Sequence, residues 1–370
     1  MAREHFGSRM GVLLAMAGGA VGLGNMWRFP YLVGKNGGAA FILVYLLFVV
    51  FLCLPILVSE YALGRRTQKN AFGAFKMLSK NKSWSLIGIF AVLAAVCVLS
   101  FYCVVGGWSV KYLVESCKFN MPILDSSYFT GFISSSFAPV IYTLIFLALT
   151  GSVLVLGIQK GIERFSKVMM LLLCLLIILI AIRSVTLPGA MEGMKYLFVP
   201  NLNALNGKAL LEALGQSFFS LSIGCGTVLT YGSYVSKKEN IITTSFMVAA
   251  FDTLFALVAG IAIIPAVFAI AYMNGATPEI GAGPGLVFIT LPSVFNAMPM
   301  GNIVAILFFV TLLIAAITSA ISLMETFVTY EIEEWKLSRT KSVLLAFAIC
   351  SVLGIICSLS QGVLSNVRLF

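Results

Sequence analysis

Apolar runs long enough to cross a bilayer recur from residue 9 to residue 360, and this recurrence leaves few folds open. About 20 apolar residues at 1.5 Å per residue span roughly 30 Å of hydrocarbon. Within hydrocarbon every backbone N–H and C=O needs a partner inside the protein, so such spans are helices. Nine are expected, near 9–34, 39–64, 85–114, 138–158, 166–187, 209–235, 241–273, 297–330 and 341–360. The seventh and eighth are long enough to imply tilt or protrusion. The chain is 60% hydrophobic and 10% charged, against roughly 25% charged in a soluble domain. The class is therefore an all-α integral membrane protein, one unit over residues 1–370.

The first span is a poor helix at the point where a membrane helix should be unbroken. Residues 18–30 read Gly-Gly-Ala-Val-Gly-Leu-Gly-Asn-Met-Trp-Arg-Phe-Pro. Gly18, Gly19, Gly22 and Gly24 each weaken a helix by about 1 kcal/mol relative to Ala. Asn25 and Arg28 then place an amide and a charge where hydrocarbon is expected. Freed backbone groups there cost several kcal/mol unless an ion, a polar ligand or another segment satisfies them. The sixth span holds a similar interruption, from Gln216 to Gly226. Two broken spans five apart fit an inverted five-plus-five repeat with a site at mid-membrane. The first repeat would cover 9–187 and the second 209–360.

Several chemistries are excluded. His5 is the one histidine, so histidine metal sites and Ser/His/Asp triads have no members. Trp27 occupies the third glycine's place after Gly22 and Gly24, so GxGxxG is not matched, and there is no Walker loop. The eight cysteines form no CxxC pair and read as small apolar fillers. An enzyme is not expected. The net charge of +10 reflects short basic loops rather than nucleic-acid binding. With the N-terminus inside, 16 of the 24 Lys and Arg fall in inner segments, as the positive-inside rule requires. Residues 11–27 are too glycine-rich, and too closely followed by Arg28, for a cleaved leader. A multi-pass protein of the cell membrane with a cytoplasmic N-terminus is expected. The apolar segment within 274–296 is expected to fold back, as a lid or a packed re-entrant connection.

Few polar groups lie within the spans. Glu60 suits a structural acceptor for N–H groups freed by the breaks. Asp252, beside Thr253 in the seventh span, suits cation coordination. Na⁺ prefers oxygen ligands, available as carbonyls near Gly18, Ala20 and Val21, the Asn25 amide and the Ser220 hydroxyl. Ala315, Thr318 and Ser319 add further oxygens, although either hydroxyl could equally bond back to its own helix. Tyr102 is mid-span, which favours a pocket over an interfacial belt. Arg28 could serve as a gate or snorkel outward.

Residues 3–38, with Glu60-Tyr-Ala-Leu-Gly-Arg, Gly161-Ile-Glu-Arg, Gly215-Gln-Ser-Phe-Phe-Ser-Leu-Ser and the Thr318-Ser319 pair, resemble the sodium:neurotransmitter symporter family. The resemblance extends to about residue 345 and implies the leucine transporter fold with Na⁺-coupled uptake of amino acids or related amines. By position it implies two sodium sites. One uses Ala20, Asn25, Ser220 and Asp252; the other uses Gly18, Val21, Ala315, Thr318 and Ser319. Substrate would lie against Gly19, Ala20, Leu23, Gly24, Val98 and Tyr102. On the other repeat it would meet Phe219, Ser220, Ser222, Cys225, Ser319 and Leu323. Its carboxylate would face Leu23, Gly24 and the Tyr102 hydroxyl. Phe219 would be the lid, Arg28 and Gln216 an outer gate, and Arg3 with Glu333 an inner latch.

Two departures from the family pattern carry expectations. Asp252 replaces an Asn common in the family, so a fixed charge would make chloride unnecessary. Cys225 stands where some relatives carry a larger side chain, which would admit a bulky amino acid. The chain also stops after the ninth span, so the second repeat is expected to be incomplete. The tenth span, with the acid that would face Arg28, is absent or supplied separately. A non-transporting binding protein and a proton-coupled carrier using Asp252 or Glu60 are the alternatives.

Overall fold

A computed structural model describes residues 4–118, 125–278, 280–281 and 283–365, with Lys82 described by its backbone alone. Helices account for the regular structure of the described residues. The first span is a bent pair, α1 (Arg9–Ala20) and α2 (Gly24–Lys35), whose axes differ by 50°. Next come α3 (Ala39–Thr67), α4 (Ser85–Ser116), α5 (Ala138–Val155) and α6 (Ile158–Val185). The expected sixth span appears as two short pieces, α7 (Gly207–Ser220) and α8 (Thr227–Gly232). Then follow α9 (Ile241–Met273), α10 (Leu286–Ala297), α11 (Gly301–Glu334) and α12 (Arg339–Leu359).

Nine spans are not reached by length and hydropathy alone. Among the described residues seven helices qualify, or eight with the bent pair counted once. The sixth expected span falls short because its break leaves α7 and α8 each too short to cross. Elsewhere the boundaries shift: α6 begins at Ile158 rather than 166, because a π-helical turn over Ile158–Glu163 starts the span early. The segment expected to fold back does so: α10 is a short helix whose Leu286, Val287 and Phe288 are wholly buried.

Both breaks can be traced to residues. At the first, Val21 turns extended (ψ 109°) and the helix stops. At the second, Ser222, Gly224 and Gly226 all take positive φ (53°, 86° and 70°). Glycine adopts that region without penalty, whereas Ser222 is strained there. The loose backbone is caught by side chains from other spans. Glu60 of α3 accepts from the Gly224 N–H at 2.8 Å, the structural role its position suggested.

The central helices are α9 and α11. α11 packs along α4, α9 along α6, and α1 touches α6, α9 and α11. Proline 265 sits inside α9, a break that neighbouring helices tolerate in membranes. Large apolar side chains such as Phe51, Phe90, Leu171 and Leu254 are exposed around the outside, as a lipid-facing surface requires. The start of α1 is tied down by Glu163, which accepts from Gly7 N (2.6 Å), Ser8 Oγ (2.7 Å) and Lys167 Nζ (2.7 Å). Ser8 in turn caps α1 by accepting from Gly11 N at 3.0 Å, worth about 1 kcal/mol.

Candidate functional site

The two breaks face each other across a cavity of about 230 Å³. Its walls include Gly19, Ala20, Gly24, Val98, Tyr102, Phe219, Ser222, Cys225, Ser319 and Leu323 from the expected set. Gly22, Phe218 and Ile223 also line it and were missed. Gly22 has a steric signal: a Cβ there would collide with Ser319 Oγ and Tyr102 Oη. Leu23 and Ser220 were also expected there, and Leu23 meets the wall through its N–H to Tyr102 Oη. Leu23 lines an outer cavity, and Ser220 turns its hydroxyl toward Asp252.

Two polar contacts lie in the cavity wall. Tyr102 Oη accepts from the Leu23 N–H at 3.0 Å, and Ser222 Oγ donates to the Gly19 carbonyl at 3.3 Å. Val98, Cys225 and Leu323 leave the remainder apolar. Pockets for drug-sized ligands run to about 300–1,000 Å³, so this one suits a small amphiphilic molecule.

Beside the cavity, three wholly buried side chains converge. The Asn25 amide donates to Asp252 Oδ1 (2.8 Å), to the Asp252 carbonyl (3.2 Å) and to Ser220 Oγ (3.2 Å). Ser220 Oγ donates to Asp252 Oδ2 at 2.7 Å, and Asn25 Oδ1 accepts from Gly22 N at 3.0 Å. On the other side of α1, Ser319 Oγ reaches the Val21 and Gly18 carbonyls at 3.0 and 3.3 Å. Thr318 instead bonds back to the Ile314 and Ala315 carbonyls, both at 3.0 Å. The hydroxyl pair thus divides: Ser319 crosses to α1 and Thr318 stays on its own helix. The second cluster offers oxygen alone, which fits a hard cation, whereas in the first Asp252 and Ser220 supply oxygen and the Asn25 amide turns its nitrogen toward them; no His/Cys/Asp/Glu metal cluster occurs among the described residues.

Phe219, with Gly24, Val98 and Tyr102, lines both the cavity and an outer one of about 640 Å³ that also holds Trp27, Arg28 and Pro284. The Arg28 guanidinium stacks 5.2 Å from the Phe219 ring centroid and donates to Gln216 Oε1 at 2.7 Å. Gln216 donates on to the Gly24 carbonyl at 3.1 Å. Arg28 and Gln216, expected together in the outer gate, are thus hydrogen-bonded to each other. At the opposite end Glu333 accepts from the Asn70 backbone and side chain, both at 2.9 Å. Arg3, its expected latch partner, lies outside the described residues. Sequence reasoning left Glu325 without a role, although Arg339 Nη2 meets its Oε2 at 2.7 Å. Glu325 and Arg339 lie 14 residues apart, a spacing no helical periodicity flags.

Comparison with known proteins bears on this geometry. A sequence model described as "Sodium:neurotransmitter symporter family" matches residues 3–129 and 131–370. The uncharacterized sodium-dependent transporter YhdH of Bacillus subtilis is 41% identical over 99% of this chain and 81% of its own length. An uncharacterized sodium-dependent transporter of Haemophilus influenzae is 35% identical over 100% of this chain and 82% of its own length. The sodium-dependent serotonin transporter of Drosophila melanogaster is 29% identical over 90% and 60%. Among solved structures, MhsT in complex with L-phenylalanine superposes with a TM-score of 0.91 at 42% identity, covering 100% of this chain and 83% of that one. The fold is that of the leucine transporter, and fold and relatives alike are those of secondary transporters rather than enzymes. By the extent of the family match and the closeness of these relatives, this chain belongs to the sodium:neurotransmitter symporter family.

Proposed function

We propose that this sodium-coupled symporter carries an apolar amino acid by alternating access around the cavity between the two helix breaks. The observation that carries the reading is a mainly apolar cavity wall with the Tyr102 and Ser222 hydroxyls set in it. The Tyr102 hydroxyl and the Leu23 and Gly24 backbone would meet a carboxylate, and Ser222 and the Gly19 carbonyl an ammonium. Val98, Cys225, Phe219 and Leu323 would enclose the side chain. The small Cys225 leaves room for a bulky one, and the related MhsT is seen with L-phenylalanine. Half-helix termini at the breaks favour the ends of a zwitterion.

Two sodium sites are assigned. Ala20, Asn25, Ser220 and Asp252 would form the first, next to the substrate. Gly18, Val21, Ala315, Thr318 and Ser319 would form the second, joining α1 to α11. Bound Na⁺ supplies positive charge that holds the broken first span against its neighbours. The Asp252 carboxylate provides the fixed negative charge, so chloride is not required. Phe219, Arg28 and Gln216 form the outer gate; Arg3 and Glu333 belong to the inner latch. The repeats would cover 9–187 and 209–360 in a cell membrane, with the N-terminus cytoplasmic, as the excess of Lys and Arg in the inner segments supports.

The test is uptake of radiolabelled L-phenylalanine into proteoliposomes. An inward Na⁺ gradient should drive accumulation, and choline in place of Na⁺ should abolish it. Equal uptake in the two salts would overturn the reading.

A further inference from the structure

The hairpin of α11 and α12 buries two carboxylates that the transport site does not use, and surrounds them very differently. Glu325 is fully partnered. Besides Arg339, Tyr234 Oη donates to it at 2.6 Å and Thr329 Oγ1 at 3.2 Å. Glu331, further along α11, is just as buried at 0% exposure, yet neither of its oxygens has a hydrogen-bond partner among the described residues. Its backbone carbonyl closes the helix by accepting from Trp335 N (3.0 Å) and Leu337 N (3.5 Å). The side chain is thereby held inside the hairpin, facing the Ser342 hydroxyl of α12, which is itself buried and unpartnered.

No described lysine, arginine or histidine forms an ion pair with Glu331. On α12, Arg339 is engaged by Glu325 and by the Leu154 carbonyl of α5, which leaves Ser342 to face Glu331, with the buried Cys350 thiol the next titratable group of that helix. Behind Cys350 stands another thiol, Cys103 of α4. Lys76, from the short helix Ala71–Leu78, sits over the Phe72 ring, which packs against Tyr330. An ionised carboxylate without donors or a cation costs several kcal/mol to bury. A neutral carboxyl has one O–H to donate, and one hydroxyl suffices to accept it.

We propose that Glu331 is a proton-binding site, protonated while the hairpin is packed as here and ionised when water reaches its base. The O–H bond of the carboxyl breaks, the proton passes to water, and the carboxylate left behind is hydrated. The base is a short turn in which Lys336 takes φ 58° and Trp335 is half exposed. In the orientation proposed above it faces the cytoplasm. Acid inside would then favour the packed hairpin and alkali its loosening. The test needs neither that orientation nor a substrate.

Infrared spectra of the whole protein in liposomes at neutral pH read the C=O stretch of protonated carboxyls. Glu331→Gln should lose one such component, and Ser342→Ala should shift that same component. A Gln variant whose spectrum superimposes on the wild type overturns the proposal, as does an unshifted band in Ser342→Ala. So does a Gln variant that fails to fold, because a neutral amide should replace a neutral acid. Thermal unfolding gives a second reading. A group protonated when folded and ionised when unfolded loses stability as pH rises above the ordinary glutamate value of about 4.3, so from about pH 5 upward the wild type's Tm should fall more steeply than the Gln variant's. Equal slopes overturn the assignment.

Discussion

The Asn25 side-chain amide lies 2.8 Å from Asp252 Oδ1, joining the broken first span to the middle of α9 across 227 residues of chain. The bond puts the one acid of α9 against the break, with Ser220 as the third member. All three are wholly buried, so their charge balance depends on what binds among them.

Asp252→Asn removes the fixed charge from that cluster. Na⁺ affinity is expected to fall by about tenfold or more, equivalent to about 1.4 kcal/mol, or binding is expected to acquire a need for chloride. Binding of labelled amino acid in sodium chloride and in sodium gluconate checks both. A variant indistinguishable from the wild type in both salts removes Asp252 from the site.

Tyr102→Phe deletes the hydroxyl that accepts from Leu23 N–H. Loss of one buried partner costs about 1–3 kcal/mol, so substrate affinity should weaken by roughly fivefold to a hundredfold. Folding should be kept, because the ring still fills its place. Equilibrium binding beside a thermal melt separates the two effects.

Phe219→Ala takes away a ring that lines both cavities and is proposed as the lid. Dissociation of bound amino acid should accelerate more than association slows. Stopped-flow release with excess unlabelled ligand measures it; an unchanged off-rate means that Phe219 is no lid.

Glu325→Gln leaves the Arg339 guanidinium buried without its carboxylate. Breaking such a pair typically costs about 3–5 kcal/mol, so a marked drop in Tm is expected in detergent. Retention of wild-type Tm would show that water replaces the acid at no cost.

Much of this architecture was legible because hydrocarbon leaves a chain so few options. Glycine spacing at Gly18, Gly19, Gly22 and Gly24 located one break, and the Gln216 to Gly226 stretch the other. Geometry was less accessible. The resemblance put Ser220 both in the cavity wall and beside Asp252, and the fold shows its hydroxyl on Asp252. Thr318 and Ser319 are adjacent and chemically alike; a turn of 100° per residue sends one hydroxyl to α1 and leaves the other on its own helix. The Glu325–Arg339 pair depends on a hairpin turn whose geometry no periodicity encodes, and Phe218 and Ile223 join the cavity wall from either side of the second break.

Glu163 holds Gly7, Ser8 and Lys167 at once, and this anchorage has a kinetic meaning. Any swing of α1 away from α6 must first release the Gly7 and Ser8 hydrogen bonds to a charged acceptor, each worth about 1.5–3 kcal/mol. Together they amount to a delay of roughly two to four powers of ten in rate, because each 1.36 kcal/mol is tenfold. The first helix therefore departs as a rare event set by one glutamate at the start of another span, and the turnover of such a carrier can be tuned at a residue that touches no cargo.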